Sequence, residues 1–523
     1  MARHSTAWIA RARWVSLALA AACSAPGTPR IDGVPGAPPS PAVPWTVAVA
    51  AQTPPPPPTP PQAPGATAAL AADSAGTGSS TFSLTDVVDL ALRNNPATRQ
   101  SWALAQAAAN DFGAAKGALY PDINANVNLA RSSSSAGAGG GFGGTSGGAV
   151  DTTGTGGTRG GLGGGGTTRT QLTPAISLSY LVFDFGGRAG TIEAAKQRAI
   201  AADLTHNATI NDVVLEVESD LFSYLATRAL RDAEITAVAE SRADTAAAEA
   251  RLRVGVGTLQ DVLQTRTALA QARFQLETLE GTLLSSRGTL AAAMGLPANA
   301  RFDIPIVAAT DTVAEVAATV DTLINRAITL RPDLAEVRAE AAALAQEIRI
   351  ARSAGYPALS LSSTQSYART LQGTSTSGRN SSLSLGLQIP VFNGFTREYE
   401  VRSAQSQYQA GLARVASTEQ QITVQVYASY AELQTARQRL SAAAELLAAA
   451  IQSAQVATGR YREGVGTIVD LLLARSALDQ ARAEDIQARW EWRIALTQLA
   501  HDVGSLDTAG RPNVPLGAPP GNR

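Results

Sequence analysis

Of the side chains that most often bind metals, attack substrates or grip phosphates, the 523-residue chain holds three histidines, one cysteine and two lysines. His4 falls in the leader, and His206 and His501 are isolated, with no second His or Cys at ligand spacing. They read as surface or packed histidines. Lys116 and Lys196 both follow alanine, so there is no Gly-Lys-Ser/Thr phosphate loop. The glycine-rich run 137–166 has neither a lysine nor a helix start after it and reads as a loop. No nucleophile, base and ligand set is clustered, which predicts no catalysis, no metal and no cofactor, with energy supplied from elsewhere.

The polar residues that do recur in a pattern are two aspartates. Arg253-Val254-Gly255-Val256-Gly257-Thr258 precedes Asp261, and Arg462-Glu463-Gly464-Val465-Gly466-Thr467 precedes Asp470. Gly255 and Gly464 suit a left-handed helix end, and Thr-x-x-Asp is capping-box spacing for the next helix. Capping accounts for both aspartates without any chemistry.

These turns belong to an internal repeat. Val182-Phe183-Asp184 corresponds to Val391-Phe392-Asn393 at an offset of 209, as do Leu263 to Leu472, Arg266 to Arg475 and Gln271-Ala272-Arg273 to Gln480-Ala481-Arg482. Upstream, Tyr120-Pro121 matches Tyr356-Pro357 at an offset of 236, so the first half carries 27 extra residues, mostly glycine-rich. Each half reads helix, strand, loop, strand, long helix, tight turn, long helix. The stretch from Arg188 to Arg253 lacks proline and as a helix would span roughly 100 Å. Its counterpart, Arg397 to Arg462, has Gly411 as its only internal glycine before the last turn-proximal Gly459.

The returning helices carry heptads. Val262, Leu269, Leu276, Leu283 and Leu290 form one line and Thr265, Ala272, Leu279, Ser286 and Ala293 a second; Ala474, Ala481, Ala488 and Ala495 repeat the second line. Small residues at that spacing let helices approach closely. The strands alternate: Ile123, Ala125, Val127 and Leu129 against Asn124, Asn126 and Asn128; Ile176, Leu178, Tyr180 and Val182 against Ser177 and Ser179. Leu383, Leu385, Leu387 and Ile389 alternate with Ser384, Gly386 and Gln388, and a weaker strand surrounds Leu359 and Leu361. Tyr120, Phe183, Tyr356, Tyr367 and Phe392 near strand ends suit an aromatic girdle. Such strands fit a transmembrane barrel and equally a half-buried soluble sheet. Four of them cannot enclose an aqueous lumen, so in lipid three chains would pool twelve.

The ends of the chain differ from its middle. Met1 to Ala22 reads as a signal peptide, with Arg3, Arg11 and Arg13 before a short apolar stretch. Cys23 follows Ala20-Ala21-Ala22, the place of a lipidated bacterial cysteine, with ordinary signal cleavage as the alternative. Residues 23–81 are Pro/Ala-rich and read as a lipid-anchored tether, and 507–523 as a flexible tail. After the leader no apolar run reaches the roughly 20 residues a spanning helix requires. A net charge of -1 excludes the strongly basic balance of nucleic-acid binders.

The duplicated order, the Tyr-Pro before each first strand, the Val-Phe-(Asp/Asn) after each second and the Gly-x-Gly-Thr-x-x-Asp turns resemble the TolC-like outer-membrane efflux family. The resemblance covers residues 82–300 and 314–506, with a glycine-rich loop at 132–170. It implies a mainly α fold with a small β part: a trimeric twelve-stranded outer-membrane β-barrel continued by a periplasmic α-helical barrel. It implies a homotrimer in outer-membrane lipid, a periplasmic adaptor protein and an inner-membrane pump of RND, ABC or MFS type, with no nucleic acid. By the same resemblance Val254, Gly255, Val256, Glu463, Gly464 and Val465 are the periplasmic tips that dock the adaptor. Asp261, Asp470, Tyr461 and Arg462 are candidates for the entrance constriction, and Leu473 stands where a second acid can occur. The competing expectation is a lipid-tethered periplasmic coiled-coil scaffold with a small soluble sheet.

Overall fold

The computed structural model describes residues 30–46, 83–134, 167–302, 304, 319–372 and 376–506. The leader, Cys23, the whole glycine-rich run 137–166 and the tail lie outside the described residues. Each repeat contributes four helices of matching length. In the first these are α1 (Leu84–Asn94), α2 (Pro96–Gly117), α3 (Gly187–Arg253) and α4 (Leu259–Ala293), of 11, 22, 67 and 35 residues. In the second, α5 (Val320–Leu330), α6 (Pro332–Ser353), α7 (Thr396–Arg462) and α8 (Ile468–Asp502) have the same four lengths, 11, 22, 67 and 35. The surplus of the first repeat therefore sits between α2 and α3, where the second repeat has a shorter hairpin.

The chain divides into two units. The larger is helical and comprises the residues up to Gly113, Glu193–Ala345 and those from Ser406 onward. Its core joins Val87 and Leu92 of α1, Ile210, Val217 and Leu221 of α3, Leu290 of α4 and Leu323 of α5. Leu334 of α6, Ile422 and Val426 of α7, and Trp490 and Leu499 of α8 complete it. The heptad lines point inward: Val262, Thr265, Leu290 and Ala293 are buried, as are Ala474, Ala481, Ala488 and Ala495. Burying such lines is what keeps helices this long in register, since helix propensity alone is weak.

Three expectations change here. The Pro/Ala-rich tether is not loose throughout: residues 30–46 dock on the helical unit, with Ile31 and Trp45 buried. A two-residue pairing of β1 (Arg30–Ile31) with β2 (Val34–Pro35) starts this segment. Lys196 pairs with Asp32 at 2.8 Å, and Asn207 exchanges two 2.7 Å hydrogen bonds with the Trp45 backbone. Composition denied this stretch a core of its own, but its few large side chains bury against helices already formed. Second, α7 contains a window long and apolar enough to count as a candidate span by composition. Only 17% of that window is buried, and within α7 Ala450 and Ala454 bury against Ala474, Leu478 and Ala481. Third, strand structure reaches into both ends of the expected 132–170 loop.

The smaller unit, Ala114–Ile192 with Gln346–Gln405, contains an antiparallel sheet. Its strands are β3 (Asp122–Ser134), β4 (Thr167–Phe183), β5 (Ala358–Gln372) and β6 (Ser377–Gln388), in that spatial order. Opposite residues share a face, so Ile123 and Leu178, or Leu361 and Leu385, fall on one side, and Asn124 with Ser177 on the other. The apolar side is bare: Ile123 is 66%, Val127 71% and Leu383 75% exposed. β5 is the least amphipathic strand, carrying Ser363 and Gln365 on the apolar side, where Gln365 donates to Ser381 Oγ at 2.8 Å. Ile389 lies just past β6. At the helix-joined end, Phe183, Phe185 and Tyr356 form an aromatic cluster with centroids 4.8 and 5.3 Å apart, and Phe392 meets Phe395. Tyr367 instead sits toward the hairpin end, opposite Arg379.

Candidate functional site

The two hairpin tips, between α3 and α4 and between α7 and α8, are built alike. Gly255 and Gly464 have φ of +78° and +79°, the conformation that lets each helix close without a Cβ clash. The amides of Val256 and Gly257 then both return to the Arg251 carbonyl, and those of Val465 and Gly466 to the Arg460 carbonyl. A Cβ on Gly257 would lie 3.0 Å from the Leu252 amide nitrogen, so the second glycine is there for close backbone approach. Thr258 and Thr467 cap the returning helices, and Asp261 and Asp470 answer with bonds to the threonine amides at 3.1 and 3.3 Å. Both capping boxes are thus complete.

This geometry leaves apolar side chains at the extremity. Val254 is 73%, Val256 65% and Val465 69% exposed, and Glu463 beside them is exposed too. Behind them Leu259, Leu263, Val469, Leu472 and Leu473 line a groove of about 750 Å³ between α4 and α8. Leu473 also borders a second groove with Asp470, Gly466 and Arg460.

One contact ties the two tips together. Arg251 Nη1 donates to the Tyr461 carbonyl at 3.0 Å, and its guanidinium carbon lies 4.9 Å from the Tyr461 ring centroid. Tyr461 is buried, and burial raises its phenol pKa, opposed by Arg251 and reinforced by Asp261 and Asp244. Asp261 acts on this phenol through charge, and Arg462, which is exposed, acts on Asp244 in the same way.

One step further along, Arg475 of α8 reaches Glu240 at 2.9 Å and Asp244 at 3.3 Å on α3, and Arg482 reaches Glu240 at 3.2 Å. Burial pushes the Asp244 and Asp479 carboxyls up, opposed by Arg475 at Asp244 and by Arg482 and Arg475 at Asp479. The repeat equivalent of Arg475, Arg266, pairs instead with Glu249 of its own hairpin at 2.7 Å. The sequence explains the asymmetry: in α7 the positions matching Glu240, Asp244 and Glu249 are Ala449, Ser453 and Thr458. With no acid on its own hairpin partner there, Arg475 turns to the other repeat.

Arg251, Glu240 and Asp244 were not singled out by sequence reasoning, because their partners are more than 200 residues away. His206 and His501 also acquire partners. His206 Nδ1 lies 2.8 Å from Ser101 Oγ, and His501 sits between Asp212 at 2.9 Å and Asp502 at 3.1 Å. Among the described residues no group of three or more His, Cys, Asp or Glu could hold a metal ion.

The family model described as outer membrane efflux protein matches residues 87–296 and 323–505. Protein CyaE of Bordetella pertussis is 27% identical over 442 residues, covering 82% of this chain and 86% of that protein. Outer membrane efflux protein BepC of Brucella suis is 24% identical over 349 residues, covering 65% and 73%. Among solved structures, the outer membrane protein VceC of Vibrio cholerae superposes with a TM-score of 0.66 at 20% identity, covering 80% of this chain and 96% of that one. The CmeC outer membrane channel of Campylobacter jejuni gives 0.67 at 16% identity, covering 82% and 90%.

Proposed function

The chain belongs to the outer membrane efflux protein family, and on that premise we propose that it is the exit duct of an efflux or type I secretion machine, working as a homotrimer. The observation that carries this reading is the sheet: four strands with one bare apolar face and with β3 and β6 unpaired at its edges. In hydrocarbon an open edge leaves backbone donors and acceptors unsatisfied at several kcal/mol each, so the edges need further strands. Three copies supply twelve and close the ring, with the apolar side to lipid and the Asn/Ser side to water.

In the same reading the tips are the periplasmic end. Val254, Gly255, Val256, Glu463, Gly464 and Val465 take an adaptor protein that links the duct to an inner-membrane pump of RND, ABC or MFS type. The entrance is narrowed by Asp261, Asp470, Leu473 and the Arg251–Tyr461 bridge, with Arg462 at its rim. Three copies of each aspartate in a narrow lumen favour cations. Cys23 carries the acyl anchor, and the docked segment 30–46 holds the chain that follows it. Purified full-length protein added to a planar bilayer should insert in conductance steps with cation preference. Absence of conductance from detergent-solubilised, outer-membrane-derived protein would remove the duct reading.

A further inference from the structure

Every strand of the sheet carries one arginine, in the half nearer its hairpin: Arg131, Arg169, Arg369 and Arg379. Beyond Asp122 the four strands contain no acidic residue and no lysine. Arg169 faces the polar side and is held there, donating to Thr370 Oγ1 at 3.3 Å and Thr376 Oγ1 at 2.6 Å. The other three lie on the apolar side. Arg131 is two residues beyond Leu129, Arg369 is directly opposite Leu172, and Arg379 is four residues from Leu383 and opposite Tyr367. All three are exposed.

Arginine on the lipid side of a barrel is costly at mid-depth and tolerated at the interface, where tyrosine also concentrates. Arg131 follows the last large apolar side chain of its strand on that face, and Arg369 follows Tyr367 with only the exposed Leu371 beyond it, so both lie near the rim at the hairpin end. Arg369 pairs with Ser377 and Arg379 with Tyr367, which makes the two arginines diagonal neighbours, about 7–8 Å apart at Cα and within joint reach. Arg131 stands two strands away and one step higher, at roughly 12 Å from Arg369 by the spacing of strands and residues.

We propose that Arg131, Arg369 and Arg379 form an outward-facing binding site for the phosphate groups of a phosphorylated glycolipid in the outer leaflet, Arg369 and Arg379 sharing one phosphate and Arg131 taking a second. Guanidinium groups bind phosphate oxygens with paired, charge-assisted hydrogen bonds, and the one acid on these strands, Asp122, lies at the end away from the hairpins. The Tyr367 ring and the leucines below supply the apolar surface for the acyl chains. This inference rests on the membrane placement of the sheet proposed above.

The test uses the full chain in mild detergent, with native mass spectrometry to titrate diphosphorylated lipid A, the same lipid A with both phosphates removed, and inorganic phosphate. The wild-type protein should hold the phosphorylated lipid at least about tenfold more tightly than the dephosphorylated one. Arg131→Gln, Arg369→Gln and Arg379→Gln combined should abolish that preference, and the three Lys replacements, which keep the charge but not the paired bonds, should keep part of it. Equal affinity of wild type for the two lipids overturns the proposal without any variant being needed. Displacement of the lipid by an equal concentration of inorganic phosphate also overturns it, by marking a free-anion site. A protein that needs no detergent fails the membrane reading first, whereas a detergent-dependent protein indifferent to phosphate fails this inference alone.

Discussion

Arg251 and Tyr461, 210 residues apart in the chain, clasp the two hairpin tips: a 3.0 Å hydrogen bond to the Tyr461 carbonyl and a guanidinium 4.9 Å from its ring centroid. The clasp joins the end of α3 to the end of α7, the two helices whose separation would widen the tips. Replacing Arg251 by Ala removes both contacts and leaves the Gly255 turn intact. Single-channel conductance in a planar bilayer should rise severalfold for Arg251→Ala. Unchanged conductance would mean that the clasp stabilises the hairpins without narrowing the entrance.

The network behind it makes a separate prediction. Arg475 is only 21% exposed and is held by Glu240 and Asp244, so Arg475→Ala leaves two acids beside each other at partial burial. Combined with Arg251→Ala, it should raise conductance beyond either change alone. Arg266→Ala, which breaks an exposed pair within one hairpin, should have little effect. Equal effects of Arg266→Ala and Arg475→Ala would show that pairing across repeats is not what holds the tips.

Capping and charge can be separated at Asp470. Thr467→Ala removes the hydroxyl that accepts from the Asp470 amide at 3.1 Å and should cost about 1 kcal/mol of local stability. Faster hydrogen exchange at the start of α8 would report it, with ion preference unchanged. Asp470→Asn keeps a side-chain acceptor but removes the charge, so it should weaken cation preference with little change in exchange. If both variants behave alike, Asp470 is a cap and nothing more.

How much of this was legible in the sequence follows the range of the interactions. Helix lengths, turns and caps depend on neighbours three or four residues away, and the 209-residue offset displayed each of them twice. The strands were readable from alternation, except β5, whose apolar side is interrupted by Ser363 and Gln365. Arg251 gave no local sign, because its meaning lies in a partner on the other repeat. The docked segment 30–46 was hidden by its composition: proline and alanine report that a stretch cannot fold alone, but not that Trp45 will find Asn207.

His501 predicts a pH dependence. Burial would lower its pKa, but hydrogen bonds to Asp212 and Asp502 outweigh that and raise it to about 9. Folded His501 thus holds its proton more tightly than the unfolded chain, whose value is near 6.5. The resulting stabilisation is complete below pH 6.5 and lost as pH rises through about 9. The unfolding temperature of wild type minus that of His501→Gln should be largest at pH 6 and shrink by pH 9.5. A difference independent of pH would show that packing, not charge, is what His501 contributes.

Asp203 shifts stability with pH in the same sense, in a lower window and through burial alone. It is fully buried, and burial pushes its pKa from 3.8 to about 8. The folded state therefore keeps a proton that the unfolded state releases, and stability falls as pH climbs from about 4 to 8. Asp203→Asn should raise the unfolding temperature by a few degrees at pH 8 and by less at pH 5. Destabilisation at pH 8 would mean that the ionised carboxylate has a partner in the assembled protein.

The central claim is that four strands per chain close a barrel only in company. The protein mass of the particle extracted from the outer-membrane fraction in mild detergent, with bound detergent accounted for, tests it directly. A mass of three chains is the predicted result. A single chain, or a protein that stays in solution without detergent once its first 80 or so residues are removed, would contradict it and leave the sheet a soluble one.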